Sequence, residues 1–396
     1  MNAHPDAVPA EATVDFDAAI PRAGTASLKW DRYAGRDVLP FWVADMDFAV
    51  AAPVREALAA RLAHPIYGYT VAPGSLVEAV LAHLAGEYGW RVEPDWLVWL
   101  PGVVPGLAAS CRAFCDDGDE LLVHTPIYHH FFDAHVDGRH RLVRVPLGVE
   151  PDGRRTWDLE ATRAACTGRT RLLMLCSPHN PTGTVFREDE LRGVAELAVE
   201  RDLVLVSDEI HCDLVIDPGA RHRPTAAARP EVAARTVTLM SASKTWNLAG
   251  LNCSFAVIPD ERLRARFLAA CRSIVSPVPP FAYVATEAAY RDGGPWRRAL
   301  LDYLAGNFAL IGERLSGVDG LDLQPLQATY LAWIDATALG LDDAQGFFES
   351  EGVGLSSGEQ FGEPGHLRLN FACPRRTLDA GLERMRAAVL KLHGGG

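Results

Sequence analysis

Short apolar runs alternate with amphipathic segments through the first two-thirds of the chain. The runs that favour β-strands cover residues 121–123, 142–143, 171–176, 203–206, 236–240 and 254–258. Between them, apolar residues recur at helical spacing, as in Val54, Leu58 and Leu62 and in the amphipathic stretch 187–201. Short buried strands separated by helices are typical of a mostly parallel sheet with helices on both faces, so the pattern predicts an α/β fold.

The pattern changes after residue 260. Long helical stretches are predicted at 260–275 and 280–316, followed by strand candidates at 330–335, 352–355 and 367–371. The last predicted helix, 376–392, places apolar side chains on one face, namely Leu378, Leu382, Met385, Val389 and Leu392. We therefore predict an N-terminal arm with part of a small domain at 1–52, a large domain at 53–287, and a small C-terminal α/β domain at 288–396.

Composition narrows the class of protein. The 396 residues carry a formal net charge of −13, which argues against nucleic-acid binding because few cations are available for phosphates. No apolar run is long enough to span a membrane, and no secretory signal is visible at the start, so no membrane partner is expected. The eight cysteines are scattered without C-x-x-C spacing, which favours reduced core thiols and a cytoplasmic location.

Three polar residues follow three of the predicted strands. Asn180 comes shortly after 171–176, Asp208 two residues after 203–206, and Lys244 after 236–240 in the segment Ser241-Ala-Ser-Lys244. Because the carboxyl ends of parallel strands meet at one edge of a sheet, these side chains are expected to lie close together. The sequence therefore predicts a ligand site at this edge.

The same three residues are 28 and then 36 positions apart, a spacing that resembles the core of fold-type I pyridoxal-phosphate enzymes. Six further segments narrow the resemblance: 41–48 (FWVADMDF), 67–69 (YGY), 101–105 (PGVVP), 125–129 (TPIYH), 207–213 (SDEIHCD) and 367–374 (LRLNFACP). Together they resemble the class I/II aminotransferase superfamily and, within it, the cystathionine β-lyase (MalY/PatB) group. The resemblance runs from about residue 27 to 390.

The resemblance implies an architecture and a cofactor. The fold would be that of a fold-type I pyridoxal-phosphate-dependent transferase, with a mostly parallel seven-stranded sheet in the large domain and a smaller C-terminal α/β domain. The cofactor would be pyridoxal 5′-phosphate, and the protein would be a homodimer with shared active sites. Tyr67 resembles the tyrosine that reaches the phosphate and the substrate cleft from the neighbouring subunit.

The resemblance also implies roles for residues around the cofactor ring. Lys244 would hold the cofactor aldehyde as a Schiff base and later move the Cα proton, which makes it the catalytic residue. Asp208 would pair with the pyridine nitrogen, and Asn180 would donate to the ring O3′. Tyr128 would stack on the ring. His211 would contact the ring, although a structural histidine at this position remains an alternative.

The cofactor phosphate would be bound by amides and hydroxyls. The amides of Gly102, Val103 and Val104 open a predicted helix, where an anion is favoured, and hydroxyls come from Ser241 and Ser243. Aspartate aminotransferases place an arginine eight residues after the lysine, but this chain has Asn252 there.

Two residues are implied in substrate binding. Arg368 resembles the arginine that holds the substrate α-carboxylate, for which its planar fork is suited. Trp42 comes from a stretch that lines the substrate cleft in the resembling enzymes. No metal site is predicted, because the adjacent residues His211, Cys212 and Asp213 cannot converge on one ion.

The resemblance favours β-elimination at a C–S bond as the reaction. This reaction would convert cystathionine or an S-substituted cysteine to a thiol, pyruvate and ammonia. An aminotransferase is the first alternative. Another is a tailoring enzyme of secondary metabolism that unmasks a thiol from a cysteinyl conjugate or deaminates it oxidatively. The last alternative, of a different class, is a regulatory protein that keeps the cofactor and acts through a partner. No arginine in 42–47 or beside 67–69 is available for a distal carboxylate, which favours a neutral side chain in the substrate.

Overall fold

The computed structural model describes residues 14–134 and 139–394. In this part of the chain the longer helices are α2 (Ala52–Leu62), α3 (Gly74–Tyr88), α4 (Val103–Phe114), α6 (Leu159–Ala165), α7 (Glu188–Glu200), α9 (Glu261–Cys271), α10 (Pro280–Asp292), α11 (Gly294–Leu315), α12 (Ala344–Ser350) and α13 (Arg375–Gly394). The four-residue helices are α1 (Leu28–Asp31), α5 (His130–Asp133) and α8 (Pro230–Ala233).

The strands fall into one large sheet, one smaller sheet and two short pairs. The large sheet contains β2 (Leu97–Leu100), β3 (Glu120–Thr125), β4 (Arg141–Pro146), β7 (Thr170–Cys176), β8 (Val204–Asp208), β9 (Thr236–Met240) and β10 (Ser254–Val257). The smaller sheet contains β11 (Asp322–Leu323), β12 (Leu331–Asp335), β14 (Ser356–Ser357) and β15 (His366–Asn370). The short pairs are β1 (Leu39–Pro40) with β13 (Val353–Gly354), and β5 (Gly148–Val149) with β6 (Arg155–Thr156).

The large sheet has the strand order β2-β10-β9-β8-β7-β3-β4. Strand β10 runs antiparallel to both of its neighbours, while the pairs from β9 to β4 are parallel. The prediction of a mostly parallel, seven-stranded sheet within an α/β fold is therefore confirmed.

Side chains that alternate along the central strands build the two halves of the core. Leu121 and Val123 of β3 pack in a cluster with residues of α4 and α9, whereas Leu122 between them packs with Trp157 and residues of α7. Successive side chains of a strand point to opposite faces, so a strand covered on both sides must be apolar throughout. The strands in the sequence are continuous apolar runs because both faces of the sheet are covered.

The C-terminal part contributes a separate four-stranded sheet, in which β15 lies between β12 and β14. Strand β1, near the N-terminus, pairs in parallel with β13, so the segment before residue 52 lies against the C-terminal part of the chain. The domain boundaries at residues 52/53 and 287/288 stay a prediction.

Two element predictions are wrong. The stretch 280–316 forms two helices that meet at Gly293, because Pro295 lacks the backbone N–H that would continue the first helix. The candidate at 352–355 forms only the two-residue strand β13, which lies outside the four-stranded sheet. Helix α3 was not predicted as a separate element. None of the helices formed by residues 14–134 and 139–394 combines the length and apolarity needed to cross a membrane.

Candidate active site

The carboxyl ends of the parallel strands open into one cavity of about 460 Å³. Cys176, the last residue of β7, is opposite Asp208, the last residue of β8, and Asn180 and Lys244 follow β7 and β9 within four residues. Eleven of the predicted site residues line this cavity: Trp42, Gly102, Val103, Val104, Tyr128, Asn180, Asp208, His211, Ser243, Lys244 and Arg368. The expectation that residues at three strand ends meet is confirmed.

The amine of Lys244 lies inside this cavity and has one short contact. Its Nζ donates to the backbone carbonyl of Ala44 at 2.7 Å. Burial lowers the pKa of Lys244 from 10.5 to about 8, and the guanidinium of Arg368 acts in the same direction. Asp45 and Asp208 oppose that shift. A substantial fraction of this amine is therefore neutral near physiological pH.

The carboxyl group of Asp208 is 3% exposed and lies at the end of a central strand. Among the described residues, the amide of Ile210 donates to it at 3.1 Å. Burial raises the pKa of Asp208 to about 7, although this amide and Lys244 both favour the charged form. A cation or a protonated ring nitrogen placed beside Asp208 would stabilise its carboxylate.

Arg368 reaches the cavity from the other sheet, where β15 carries it. Its Nη1 donates to Asn180 Oδ1 at 3.0 Å, and its Nη2 donates to the carbonyl of Trp42 at 2.9 Å. The guanidinium carbon lies 4.6 Å from the centroid of the Phe361 ring, and the Arg368 Nε has no hydrogen-bond partner among the described residues. Burial lowers the pKa of Arg368 to about 10. A buried guanidinium without a carboxylate partner is well placed to bind an anionic ligand.

Two aromatic side chains line the cavity near these charges. His211 is 1% exposed, its Nδ1 has no partner among the described residues, and burial holds its pKa well below 6.5. The ring is therefore neutral and can accept or donate one further hydrogen bond. Tyr128 follows β3, and burial raises its pKa to about 12, so its hydroxyl stays protonated.

The start of helix α4 also lines the cavity. Gly102 precedes the helix, and Val103 and Val104 form its first turn, so their amides are among those without intrahelical partners. Ser243 lines the same cavity, but Ser241 does not. The Ser241 hydroxyl lies 2.6 Å from the Cys253 carbonyl oxygen and 2.8 Å from Ser243 Oγ, so its direct contacts fix the loop that carries Ser243.

Tyr67 lies away from this cavity in the single chain. Its side chain is 53% exposed, its hydroxyl donates to the carbonyl of Leu62 at 3.2 Å, and its ring contacts Phe281 at a centroid distance of 5.5 Å. The large apolar residues Ile66, Tyr69 and Val71 around it are exposed as well. The structure of one chain therefore does not bring Tyr67 to the other site residues.

The sequence missed several residues of the cavity. Ala44 lies in a stretch expected to line the cleft, but the contacts of its carbonyl oxygen, which accepts from both Lys244 and the Tyr330 hydroxyl, were not predicted. His129 belongs to the segment 125–129 but had no predicted role, and Gln360 lies in none of the segments named above. Asn252, which stands where aspartate aminotransferases have an arginine, also lines the cavity. A contact made by a backbone carbonyl leaves no signal in the sequence. The contact of Tyr330 leaves none either, because the position of Tyr330 depends on the second sheet.

The residues present fit the pyridoxal phosphate that the sequence predicts. The cavity is lined by a lysine amine of lowered pKa, a buried carboxyl group, a helix N-terminus and the Ser243 hydroxyl. The unpartnered His211 Nδ1 and Arg368 Nε show that polar groups face this space without a protein partner. Buried polar atoms without a hydrogen-bond partner are uncommon in folded proteins, so these two atoms support a ligand in the cavity.

Comparisons with known proteins agree with this geometry. The cystathionine beta-lyase PatB of Bacillus subtilis (strain 168) is 37% identical, and the match covers 95% of this chain and 100% of PatB. The solved structure of OvoB is 42% identical, with a TM-score of 0.92, and the match covers 95% of this chain and 99% of that one.

A further solved structure, the PLP-bound C-S lyase from Staphylococcus hominis, is 33% identical with a TM-score of 0.90; the match covers 96% of this chain and 99% of that one. Residues 37–385, most of the chain, match the family described as aminotransferase class I and II. The protein belongs to the class I and II aminotransferase family.

Proposed function

We propose that this protein is a pyridoxal-phosphate-dependent C–S β-lyase that acts on an S-substituted cysteine. The observation that carries the proposal is the meeting of Lys244, Asp208 and Arg368 in one cavity. The names of PatB and of the C-S lyase from S. hominis support the same reaction class. The overall change is hydrolytic: the substrate and one water give a thiol, pyruvate and ammonia.

When bound, pyridoxal phosphate supplies an aldehyde that condenses with amines and a protonated ring that withdraws electrons from the substrate Cα. Lys244 acts as the base that removes the Cα proton, since its lowered pKa leaves much of the amine neutral. Asp208 holds a proton on the ring nitrogen, because a buried carboxylate is stabilised by such a cationic partner. The Ala44 carbonyl and Tyr330 hydroxyl set the position of the lysine amine.

Arg368 positions the amino acid through its α-carboxylate. Its guanidinium is already held by Asn180 and by the carbonyl of Trp42, so binding a carboxylate costs little side-chain entropy. This contact fixes the orientation of Cα relative to Lys244. The Cβ–S bond can then lie perpendicular to the ring plane, where the thiolate leaves as the proton is removed.

The lining of the cavity favours elimination from a neutral side chain. Among the described residues that line it, Lys244 and Arg368 are the lysine and arginine side chains, and both are used in the steps above. An aminotransferase that alternates with an acidic substrate needs a further cation for the distal carboxylate. This lining therefore favours the lyase.

We further propose that the protein works as a homodimer with shared active sites. Tyr67 and its neighbours Ile66, Tyr69 and Val71 present exposed apolar side chains, an arrangement typical of a surface that another chain covers. In the dimer, Tyr67 would reach the phosphate site of the partner. The cavity would lie between the domains predicted at 53–287, which supplies Lys244, and 288–396, which supplies Arg368.

The cytoplasm is the compartment that we infer. All eight cysteines are free thiols, and seven of them are buried. Free buried thiols are typical of proteins that fold in a reducing compartment.

The experiment that tests the reaction uses the purified holoenzyme with S-methylcysteine and with cystathionine. We expect thiol and pyruvate in equal amounts from at least S-methylcysteine, without any added 2-oxo acid. Lys244→Ala serves as the negative control and should abolish the release of both products. A strict requirement for a 2-oxo acid would contradict the proposal and favour an aminotransferase.

A further inference from the structure

Two polar side chains in the wall of the cavity have no partner. His129 follows Tyr128, and Gln360 precedes Phe361 in a turn of 3₁₀-helix. In the described part of the chain, neither the ring of His129 nor the amide of Gln360 takes part in a hydrogen bond; the His129 Nδ1 is buried, whereas Gln360 is exposed to solvent in the single chain. Neither residue has a role in the steps proposed above.

The backbone brings these two residues to the same end of the cavity. The amide of Ile127 donates to the carbonyl of Phe361 at 3.0 Å, which joins the segment before His129 to the turn that carries Gln360. The rings of His129 and Phe361 are 6.3 Å apart between centroids, and the guanidinium carbon of Arg368 is 4.6 Å from the Phe361 ring. His129 and Gln360 therefore lie next to the arginine proposed for the α-carboxylate.

The side chains of His129 and Gln360 are polar but uncharged. Burial lowers the pKa of His129 to about 4, and the neighbouring His130 and Arg368 act in the same direction, against a small opposing effect of Asp133. The ring is neutral at physiological pH, with one donor and one acceptor, and Gln360 offers an amide with both. Once the substrate α-carboxylate occupies Arg368, a second carboxylate placed here would lie near a like charge, and the described lining offers it no further cation beside His129 and Gln360.

We propose that His129 and Gln360 form a subsite for an uncharged hydrogen-bonding group, such as an amide, in the S-substituent of the cysteine substrate. The inference rests on the proposed lyase function and names its substrate class. An amide carries both a donor and an acceptor, so it can pair with both side chains. The distal end of cystathionine, which carries an amine and a carboxylate, fits this subsite less well.

The test compares two isosteric substrates, S-carbamoylmethylcysteine and S-carboxymethylcysteine, which differ by an amide in place of a carboxylate. S-methylcysteine, which is too short to reach the subsite, reports the basal reaction. We expect kcat/KM for pyruvate release to be at least about tenfold higher for the amide than for the carboxylate, the difference that one well-made hydrogen bond gives. Binding is followed in parallel through the visible absorption of the holoenzyme.

Variants separate the subsite from the rest of the cavity. His129→Phe and Gln360→Leu should each lower kcat/KM for the amide about tenfold while leaving S-methylcysteine nearly unchanged. His130→Phe is the matched control, because His130 is paired with Asp133 at 3.1 Å and does not line the cavity. It should leave the ratio of amide to S-methyl substrate as in the wild type.

The outcomes distinguish the two proposals. No pyruvate from any of the three substrates would contradict the lyase function, and the absorption titration would then still decide whether the amide binds better than the carboxylate. Pyruvate from S-methylcysteine with equal or better use of the carboxylate would overturn the subsite alone. So would an unchanged amide-to-methyl ratio in both His129→Phe and Gln360→Leu. If either variant misfolds, the wild-type ratio of amide to carboxylate decides.

Discussion

At the scale of the residue, the environment of Lys244 determines when the chain can take up its cofactor. Burial lowers the pKa of its amine to about 8, and Arg368 adds to this effect. Only the neutral amine condenses with an aldehyde. The same residue is an ordinary lysine in the unfolded chain, where its pKa is about 10.4.

The rate at which cofactor-free protein takes up pyridoxal phosphate should therefore rise with pH and level off above about 8. Below that pH, the rate should fall about tenfold per unit, since the neutral fraction of a lysine falls in that proportion. Stopped-flow absorbance measures the rate. The free energy of unfolding gives the second readout. Between the folded pKa of Lys244, about 8, and its unfolded pKa, about 10.4, the unfolded state binds more protons than the folded state. The free energy of unfolding therefore rises with pH over this interval.

Lys244→Met is the control for both measurements, because it keeps the volume and removes the titrating group. It should show no uptake, and its stability should not rise with pH over the same interval. An uptake rate with a midpoint near 10 in the wild type would show that the amine is not buried as described.

At the scale of the element, the loop after β7 is fixed to the segment that enters β12. Gly183 has a φ of +67°, and its carbonyl accepts from the amides of Gln327 at 3.0 Å and Ala328 at 2.9 Å. A Cβ atom here would lie 2.7 Å from the Ala328 carbonyl oxygen and 2.6 Å from Leu326 Cγ. This loop also carries Asn180, so the contact connects the active-site edge to the second sheet.

Gly183→Ala should lower the free energy of unfolding by about 2–3 kcal/mol, because it combines a positive φ with a clash against the backbone. Urea unfolding of the cofactor-free protein measures the change. Gly168→Ala is the matched control: Gly168 lacks a positive φ, and nothing lies within 4 Å of its Cβ position, so we expect a change within about 0.5 kcal/mol. Equal stability of the two variants would contradict the described packing of the loop.

At the scale of the whole molecule, the exposed surface around Tyr67 raises the question of assembly. Tyr69 and Val71 are almost fully exposed in the single chain, an unfavourable arrangement unless another chain covers them. In a symmetric dimer the same patch meets itself or its complement on both subunits. The proposed sharing of active sites gives this surface a function.

Mixing two inactive variants tests this sharing. Under the proposal, a heterodimer of Lys244→Ala and Tyr67→Phe contains one intact site, so an equal mixture should recover about a quarter of wild-type activity after subunit exchange. The control mixture combines Lys244→Ala with Arg368→Ala. Each site takes Lys244 and Arg368 from the same subunit, so every site in this heterodimer lacks one of the two residues. This mixture should recover no activity. Recovery in both mixtures, or a fully active monomer in light scattering, would contradict the shared site.

The sequence by itself determined the local elements and the edge at which the site lies. Strand Thr236–Met240 has the predicted bounds, and Asn180, Asp208 and Lys244 meet as expected. Local periodicity was sufficient here, because parallel strands place their carboxyl ends at one edge whatever their order in the sheet. Helical periodicity alone missed the break at Gly293, which follows from the helix-breaking residues Gly294 and Pro295.

Only the tertiary structure decided how the second sheet completes the site. Arg368 binds Asn180 across 188 residues of sequence, and the Ala44 carbonyl is brought to Lys244 across 200. His129 and Gln360 acquire a common function only because the backbone at Ile127 bonds to Phe361. Such contacts arise from the packing of one sheet against another. That packing depends on the whole set of buried side chains and not on the periodicity of any one segment.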